Sequence, residues 1–334
     1  MSRVAVLGGG RSPEHDVSLR SAAAVVDALR AAGHDAVPVT IDRDGVWADG
    51  GGPLGGSPAA SLAAALPVLA ACDVVLPVLH GAPGEDGAIA ALGELAGLRV
   101  AGCPAAAGAI AMDKHATKAV AAAVGVAVAP GVLLQRGESV PAVRLPVVVK
   151  PTSAGSSVGV AVVTDAAALG PAIAAARAVG SGGDAVLVEQ YVRGREVQLA
   201  VVERRDGTLL VAPPIEYAVD EGDVFDTSRK YDGTAVVHFP ARIDAAQRAA
   251  LEQAATRLFR ALGCRGLARL DFFVTDEGLL LNEVNTMPGM TAQSGFPRMC
   301  RAAGLDLPAL VDELVAVAGQ EAGASSRNAV SAAR

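Results

Sequence analysis

The chain has 334 residues, 51% of them hydrophobic and 3% aromatic, with four cysteines and a formal net charge of −7. The length predicts two or three subdomains, and the scattered cysteines, which lack CxxC spacing, indicate reduced thiols in a cytoplasm. The negative charge and the scarcity of aromatic residues argue against a nucleic-acid partner, and no apolar run reaches the roughly 20 residues that span a bilayer.

The amino-terminal third is typical of a doubly wound α/β domain. Val4–Leu7 is predicted to be a buried strand, followed by three glycines and a helix over Val17–Ala32. The GxGxxG fingerprint is lacking, so we do not predict a dinucleotide site. Glu14 precedes the helix, where the helix dipole alone explains an acid. A second strand, Val74–Leu79, ends at His80 in a glycine-punctuated loop, and this residue is either a core histidine or a substrate contact.

In the middle of the chain, a lysine at the end of a predicted strand leads into a flexible loop. Lys150 is followed by residues 151–159, which are rich in glycine and serine, and then by the strand Val160–Val163. Backbone N–H groups and hydroxyls of such a loop can surround a phosphate, and the ammonium group can neutralise it. A plain hairpin turn explains the same residues equally well, and the Walker spacing is absent. Glu196, between two later strands, could hold a ribose.

The most informative stretch is Ala268–Thr291, which alternates like two adjacent strands joined by a turn. Because side chains two residues apart on a strand share a face, four polar groups are predicted to meet in one patch: Arg269, Asp271, Glu283 and Asn285. Alternate apolar positions are predicted to face a core: Leu270, Phe272, Leu280 and Val284. The oxygen atoms suit Mg²⁺ or Mn²⁺, and N–H groups at the following Pro-Gly turn could meet a developing negative charge. A merely solvated hairpin face is the simpler alternative.

Three further segments complete the prediction. The long polar stretch 213–238 is typical of a lid or binding loop. The amphipathic pattern over Asp244–Leu262 predicts a helix, and Leu305–Ala318 is predicted to be the last helix. The small and polar residues Gly323–Arg334 predict a frayed tail.

In this order, the stretches resemble the ATP-grasp enzymes, and within them the D-alanine–D-alanine ligases. The resemblance runs from Val4 to about Val315 and rests on these segments: SPEHDVSLRSA (12–22), HGAPGEDG (80–87), AMDKHATK (111–118), KPTSAGSSVG (150–159), EQYVRGRE (189–196), RKY (229–231), ARLDFF (268–273) and NEVNTMPGMTAQS (282–294). It implies an ATP-grasp fold of class α/β, in which two α+β subdomains clamp ATP and follow a domain with a doubly wound parallel sheet. The implied units are 1–110, 111–192 and 193–320, with a flexible tail over 321–334.

The resemblance implies contacts to ATP and to metal ions. Those for ATP are Lys114, Lys150 and Ser157 at the phosphates, Glu189 and the backbone near Val192 at adenine, and Glu196 at the ribose. Those for two Mg²⁺ or Mn²⁺ ions are Asp271, Glu283 and Asn285. A monovalent cation near residues 213–238 is also compatible with the family.

The resemblance also implies contacts to two D-amino acids, one of which is activated as an acyl phosphate. The contacts to the first are Glu14, linked to Ser156 and Tyr231, and His80 near its carboxylate. The remaining ones are Arg269 and the backbone of Gly289 at the oxyanion, Ser294 at the carboxylate of the second amino acid, and Lys230 at the transferred phosphate. Family members are commonly dimers, so a homodimer is expected.

Two departures from the family pattern leave the acceptor open. Phe225-Asp226-Thr227 stands where the family usually has Tyr-Asp-Tyr, and Ala90 stands where it usually has glutamine. The first hypothesis is a ligase that makes the cell-wall dipeptide, and the second is a relative in specialised metabolism that ligates or cyclises another D-amino acid. Tyr231 favours an amine over a hydroxy acid as acceptor. The third hypothesis, a non-catalytic nucleotide-binding protein, is disfavoured by the intact set of charged residues.

Overall fold

The computed structural model describes residues 1–139, 142–179, 185–218 and 236–331, with side chains described up to residue 320. The predictions for Phe225-Asp226-Thr227, Lys230 and Tyr231 lie outside the described residues. Within the described ranges, every helix is too short or too polar to cross a membrane.

The first unit is a five-stranded sheet with helices on both faces. Its strands are β1 (Arg3–Gly9), β2 (Asp35–Ile41), β3 (Trp47–Asp49), β4 (Gly52–Pro53) and β5 (Val74–Pro77). Its helices are α1 (His15–Ala31), α2 (Pro58–Ala70) and α3 (Ala88–Ala96). The strand order is β4-β3-β2-β1-β5. The predicted parallel pairing is found for β2, β1 and β5, whereas the short edge strands β3 and β4 are antiparallel.

The second sheet has four antiparallel strands in the order β6-β9-β7-β8. These strands are β6 (Gly131–Leu134), β7 (Val147–Pro151), β8 (Ala161–Val163) and β9 (Val186–Gln190). The helices around it in the chain are α4 (Ala105–Met112), α5 (Lys114–Ala123) and α6 (Ala166–Val179). Leu169 and Ile173 of α6 pack on the alternating valines of β7 and β9, which gives this sheet a core of its own.

The third sheet has six strands and carries the predicted hairpin. Its strands are β10 (Arg195–Glu203), β11 (Leu209–Val211), β12 (Ile215–Tyr217), β13 (Val237–His238), β14 (Leu267–Thr275) and β15 (Gly278–Asn285). The last helices are α7 (Ala245–Ala261), α8 (Gly295–Ala302) and α9 (Leu307–Ser331). The backbone of α9 thus stays helical beyond Ala318, through most of the stretch for which a frayed tail is predicted.

The hairpin β14–β15 is antiparallel, as predicted, but it contains a bulge. Asp271 pairs with Glu283 and the next residue, Phe272, pairs with Leu281, so Asn282 is the extra residue. The bulge changes which leucine faces the core. Leu281 is fully buried against Phe272, whereas Leu280, which strict alternation predicts in that place, is only half-buried. Leu270 and Val284 are buried as predicted.

The first and third sheets share one apolar core. Val4 and Val6 of β1 belong to the same buried cluster as Leu310 and Leu314 of α9 and Phe296 of α8. This common core fixes the carboxyl end of β5 against the turn that follows β15. The candidate site lies at that junction.

Candidate active site

The polar face of the hairpin is built as the sequence predicts. Arg269 pairs with Asn285 and Asp271 with Glu283 across the two strands. The Arg269 guanidinium donates to both carboxylate oxygens of Asp271 at 2.8 Å. Gln198 of β10, in register with Asp271, donates from Nε2 to Oδ2 of Asp271 at 3.2 Å. Although burial acts to lower it, the pKa of Arg269 is raised, because the charge of Asp271 lies beside it.

The same face offers oxygen ligands of the kind that hard cations prefer. Two carboxylates, Asp271 and Glu283, lie beside the amide of Asn285. Among the described residues, Asn285 Nδ2 is one of two buried side-chain polar atoms with no hydrogen-bond partner, so no described group engages that end of the amide. Glu283 is ion-paired with Lys114, whose Nζ lies 3.3 Å from Oε2. An all-oxygen set of two acids and one amide fits Mg²⁺ or Mn²⁺ better than a softer metal.

A second charged group surrounds Glu189 at the end of β9. Lys150 Nζ lies 2.5 Å from its Oε2, and Lys118 Nζ of α5 donates to Oε1. All three side chains are buried. Burial acts to raise the pKa of Glu189, yet the charges of Lys150 and Lys118 hold it below its ordinary value. The group carries more positive than negative charge and can attract a polyphosphate.

The loop after Lys150 reaches across to the first unit. Ser156 Oγ donates a hydrogen bond to the carboxylate of Glu14, which ties the loop to the start of α1. Ser156 and Ser157 both adopt the left-handed region, with φ of 50° and 57°. Non-glycine residues in this region store strain and often mark ligand-binding loops. Lys114 Nζ supports the same loop by donating to the carbonyl oxygen of Ala154 at 2.8 Å.

His80 has both ring nitrogens bonded to the protein. Nδ1 lies 2.9 Å from the carbonyl oxygen of Met287, so it must carry the hydrogen, and Nε2 lies 3.0 Å from Ser21 Oγ. Ser21 Oγ in turn accepts the N–H of Met290 at 3.2 Å. Burial lowers the pKa of His80, which keeps the ring neutral in this chain of bonds. His80 therefore holds the turn 287–290 in place and offers no unused nitrogen to a substrate.

Glu85, in the loop after β5, also binds the turn 287–290. Its Oε2 accepts the N–H of Gly81 at 2.7 Å, and its Oε1 accepts the N–H of Met287 at 3.3 Å. Burial, followed by the charge of the nearby Glu14, raises the pKa of Glu85 to about 7. Ala90 lines a separate small cavity behind Glu85, so this departure from the family pattern lies behind the cleft wall.

The turn leads to the amino terminus of α8. Ser294 is the N-cap residue, but its side chain makes no capping hydrogen bond and instead lies 2.8 Å from Thr291 Oγ1. A Cβ atom added to Gly289 would lie 2.9 Å from Ser294 Oγ, so the two residues are in close contact. The first N–H groups of a helix and its dipole favour an anion. This end of the cleft can therefore bind a carboxylate.

One cleft brings most of the predicted residues together. The predicted residues in its wall are Glu14, His80, Ser156, Arg269, Glu283, Asn285, Gly289 and Ser294. Lys114 lines an adjoining cavity that shares Glu283 and Asn285 with it. Six other predicted residues that the structure describes do not line this wall: Lys150, Ser157, Glu189, Val192, Glu196 and Asp271. Lys150, Glu189 and Asp271 are buried, whereas Val192 and Glu196 are half-buried beside β9 and on β10.

Comparisons with known proteins agree with this geometry. Residues 3–103 match the family described as D-ala D-ala ligase N-terminus, and residues 131–316 match D-ala D-ala ligase C-terminus. The chain belongs to the D-alanine–D-alanine ligase family. A D-alanine–D-alanine ligase of Nocardia farcinica is 40% identical over 95% of this chain and 96% of its own length. Membership in this family makes the chain an ATP-dependent ligase.

Solved structures of ligases show the same fold. The D-alanine–D-alanine ligase of Coxiella burnetii has a TM-score of 0.80 at 28% identity, with 98% of each chain covered. The VanG D-Ala:D-Ser ligase of Enterococcus faecalis has a TM-score of 0.77 at 29% identity, covering 95% of this chain and 99% of that one. The fold is therefore ATP-grasp, as the sequence motifs imply.

Four residues of the ligase cleft and its surroundings are absent from the sequence prediction of the site: Glu85, Lys118, Gln198 and Tyr217. Two of these residues could have been predicted from their spacing in the sequence. Lys118 is one helical turn after Lys114, and Gln198 is two residues after Glu196 on one strand, so each shares a face with a predicted site residue. Glu85 is in the recognised motif HGAPGEDG, which by itself does not show what the residue contacts.

Proposed function

We propose that this ligase joins two D-alanine molecules into D-alanyl-D-alanine, with conversion of ATP to ADP and phosphate, for peptidoglycan precursors. One observation carries the proposal. The hairpin places Arg269 and Glu283 at the wall of a cleft, with Asp271 bonded to Arg269, and Glu14 and Ser156 join this cleft from the opposite side. A site that closes over its substrates suits an acyl phosphate, because water would otherwise hydrolyse that intermediate.

The nucleotide would lie between the second and third sheets. Lys114, Lys150 and Ser157 would bind the phosphates, and the buried ammonium groups beside the cleft support this assignment. The base would meet Glu189, whose ionised carboxylate can accept a hydrogen bond from the amino group of adenine. The remaining contacts in the proposal are the backbone near Val192 at the ring edge and Glu196 at the ribose.

The metal ligands in the proposal are Asp271, Glu283 and Asn285, which would hold two Mg²⁺ or Mn²⁺ ions. The oxygen atoms of two carboxylates and one amide on the same face of the hairpin support this choice. When bound, such ions neutralise charge on the phosphoryl group that is transferred. The bidentate contact with Arg269 fixes the Asp271 carboxylate on the cleft side of the sheet.

The reaction begins with the carboxylate of the first D-alanine, which attacks the γ-phosphorus of ATP and expels ADP. Glu14 would anchor the ammonium group of this substrate, and Ser156 with Tyr231 would hold the loop closed over it. Lys230 would bind the transferred phosphate. His80, whose nitrogens are both engaged, would act near this substrate by holding the turn 287–290.

The amine of the second D-alanine then attacks the acyl carbon, loses a proton and forms the peptide bond as phosphate leaves. Its carboxylate would lie at Ser294 and the amino terminus of α8, where helix N–H groups favour an anion. The tetrahedral oxyanion would be stabilised by the Arg269 guanidinium and the N–H of Gly289. A half-buried cation held by Asp271 and a fixed N–H can stabilise such a charge without reorganising in the transition state.

The test is release of ADP and phosphate with MgATP and single amino acids, with and without K⁺, and with products identified by mass. Turnover with D-alanine but not L-alanine, giving two alanines minus one water, is the expected result. ATP binding without turnover on any amino acid would contradict the proposal and favour a non-catalytic protein.

A second candidate is a ligase that accepts or cyclises another D-amino acid. Two observations favour this second candidate. The fold is similar to that of a D-Ala:D-Ser ligase, and Ala90, behind Glu85, stands where the family usually has glutamine. A mixed product from D-alanine and D-serine in the same assay, formed in preference to the dimer of alanine, would establish this second function.

We also propose that the ligase is a homodimer in the cytoplasm. The dimer is expected because members of the family are commonly dimers. The cysteines Cys72, Cys103, Cys264 and Cys300 are free, as in a reducing compartment. Sedimentation equilibrium at twice the chain mass is the expected result, and a monomer at micromolar concentration would contradict the dimer.

A further inference from the structure

Glu189 is paired with two lysines, and only one of them has a role in the proposed nucleotide site. Lys150 is the penultimate residue of β7, next to the phosphate loop, and its Nζ is 2.5 Å from Glu189 Oε2. Lys118 comes from α5 and donates to the other oxygen, Oε1. The three residues are only 4–6% exposed. A carboxylate at this depth needs a counter-charge, because burial without one favours its protonated form.

The protonation state of Glu189 decides which purine it can select. An ionised carboxylate only accepts hydrogen bonds, so it matches the 6-amino group of adenine. A protonated carboxyl group can also donate, so it can match the 6-oxo group of hypoxanthine or guanine. When Lys150 turns to the phosphates, Glu189 loses one of its two ammonium partners, and its ionisation then depends on the other.

We propose that Lys118 is a positioning residue for nucleotide selection, which stays on Glu189 when Lys150 binds phosphate and keeps Glu189 an ionised acceptor that prefers adenine to a 6-oxopurine. The inference rests on the proposed use of ATP. It assigns to Lys118 a role through Glu189 and no direct contact with the nucleotide.

The electrostatics of the trio agree with this role. Burial, and then repulsion from Lys150, lower the pKa of Lys118 to about 8. Movement of Lys150 toward the phosphates removes that repulsion. The ammonium group of Lys118 then pairs more strongly with Glu189, at the point when Glu189 has lost its other cationic partner. The pKa of Glu189 remains below its ordinary value despite its burial, since both lysines lower it.

The test compares Lys118→Met and Lys118→Arg with the wild-type chain by equilibrium dialysis against ATP and ITP in Mg²⁺, without amino acids. Lys118→Met is expected to raise the Kd for ATP by about tenfold and to lower the preference for ATP over ITP by a similar factor. Lys118→Arg, which retains the charge, is expected to restore most of that preference. Thermal unfolding of each variant monitors folding, and Lys118→Gln replaces the methionine variant if that one does not fold.

A double-mutant cycle shows whether Lys118 acts through Glu189. Since glutamine cannot ionise, Lys118→Met on a Glu189→Gln background is expected to leave the ATP-to-ITP ratio unchanged. An unchanged ratio in the single Lys118→Met variant, or an equal loss on both backgrounds, would overturn the inference. A wild-type chain that does not bind ATP would instead overturn the proposed function along with it.

Discussion

The Nδ1 atom of His80 donates a hydrogen bond to the carbonyl oxygen of Met287 at 2.9 Å and so joins the loop after β5 to the turn before Gly289. The neutral ring completes this link, because Nε2 must accept from Ser21. A protonated ring would donate at both nitrogens, and the bond from Ser21 to Nε2 would then be lost.

The first prediction concerns stability in mild acid. Burial lowers the pKa of His80 from its ordinary 6.5 in the folded chain, so the unfolded chain takes up this proton first. The stabilisation that His80 gives is therefore present above pH 6.5 and is lost as the pH falls below it. Between pH 7.5 and 5.5, the free energy of unfolding of the wild type should fall by about 1 kcal/mol more than that of His80→Asn.

Urea unfolding at both pH values measures this difference. His115→Asn is the matched control, since His115 is exposed on α5 and should show no such difference from the wild type. Equal acid sensitivity of His80→Asn and the wild type would contradict the prediction.

The second prediction concerns the contact between the phosphate loop and Glu14. A Cβ atom on Gly155 would lie 2.8 Å from Glu14 Oε2, closer than side-chain atoms approach one another without a shift. Gly155→Ala should therefore displace the Glu14 carboxylate, which would anchor the first substrate, and lower kcat/KM for D-alanine by at least about tenfold, as measured by ADP release. Gly170→Ala, in α6 with open space around it, should keep full activity and gain up to about 1 kcal/mol of stability. Equal activities of Gly155→Ala and Gly170→Ala would show that activity does not depend on the close contact between the loop and Glu14.

The third prediction concerns the hairpin acids. Asp271→Asn removes a charge that would hold metal and fix Arg269, so turnover should fall by at least about 100-fold at saturating Mg²⁺. The control is Asp276→Asn, the same change in the exposed turn of the same hairpin, which should leave turnover unchanged. Thermal unfolding of both variants separates loss of chemistry from loss of fold. A fully active Asp271→Asn enzyme would remove this residue from the proposed site.

The fourth prediction contrasts two serines that precede helices. Ser294→Ala should raise the KM for the second D-alanine by about tenfold and leave the KM for ATP unchanged, because its hydroxyl caps no N–H group and faces the cleft. Ser57 Oγ accepts the N–H of Ala60 at 3.3 Å at the start of α2, so Ser57→Ala should cost about 1 kcal/mol of stability with normal kinetics. Initial rates over a range of D-alanine concentrations and urea unfolding test the pair. The reverse pattern would show that Ser294 is structural.

The polar face of the hairpin could be predicted because it follows from alternation within a few residues. The same rule failed at Leu280, since alternation assumes an unbroken ladder and the bulge at Asn282 shifts the strand by one residue. The start of α5 could also have been anticipated, because Asp113 caps it by accepting the N–H groups of His115 and Ala116.

Contacts between distant segments were beyond local reasoning. Lys118 and Glu189 are 71 positions apart, and His80 and Met287 are 207 apart, so no periodicity relates them. The family motifs identified Glu189 and His80 as site residues without indicating that protein groups already engage them. The unit boundaries at 110 and 192 remain predictions.

The core shared by β1 and α9 sets an order on folding during synthesis. Val4 and Val6 are synthesised long before Leu310 and Leu314, which belong to the apolar cluster that covers them. The second sheet closes its own core with residues 134–188 and can form while the rest is still being translated. Strand β1 must therefore wait, partly uncovered, until α9 has left the ribosome, and a chaperone that shields β1 in that interval would raise the yield of active ligase.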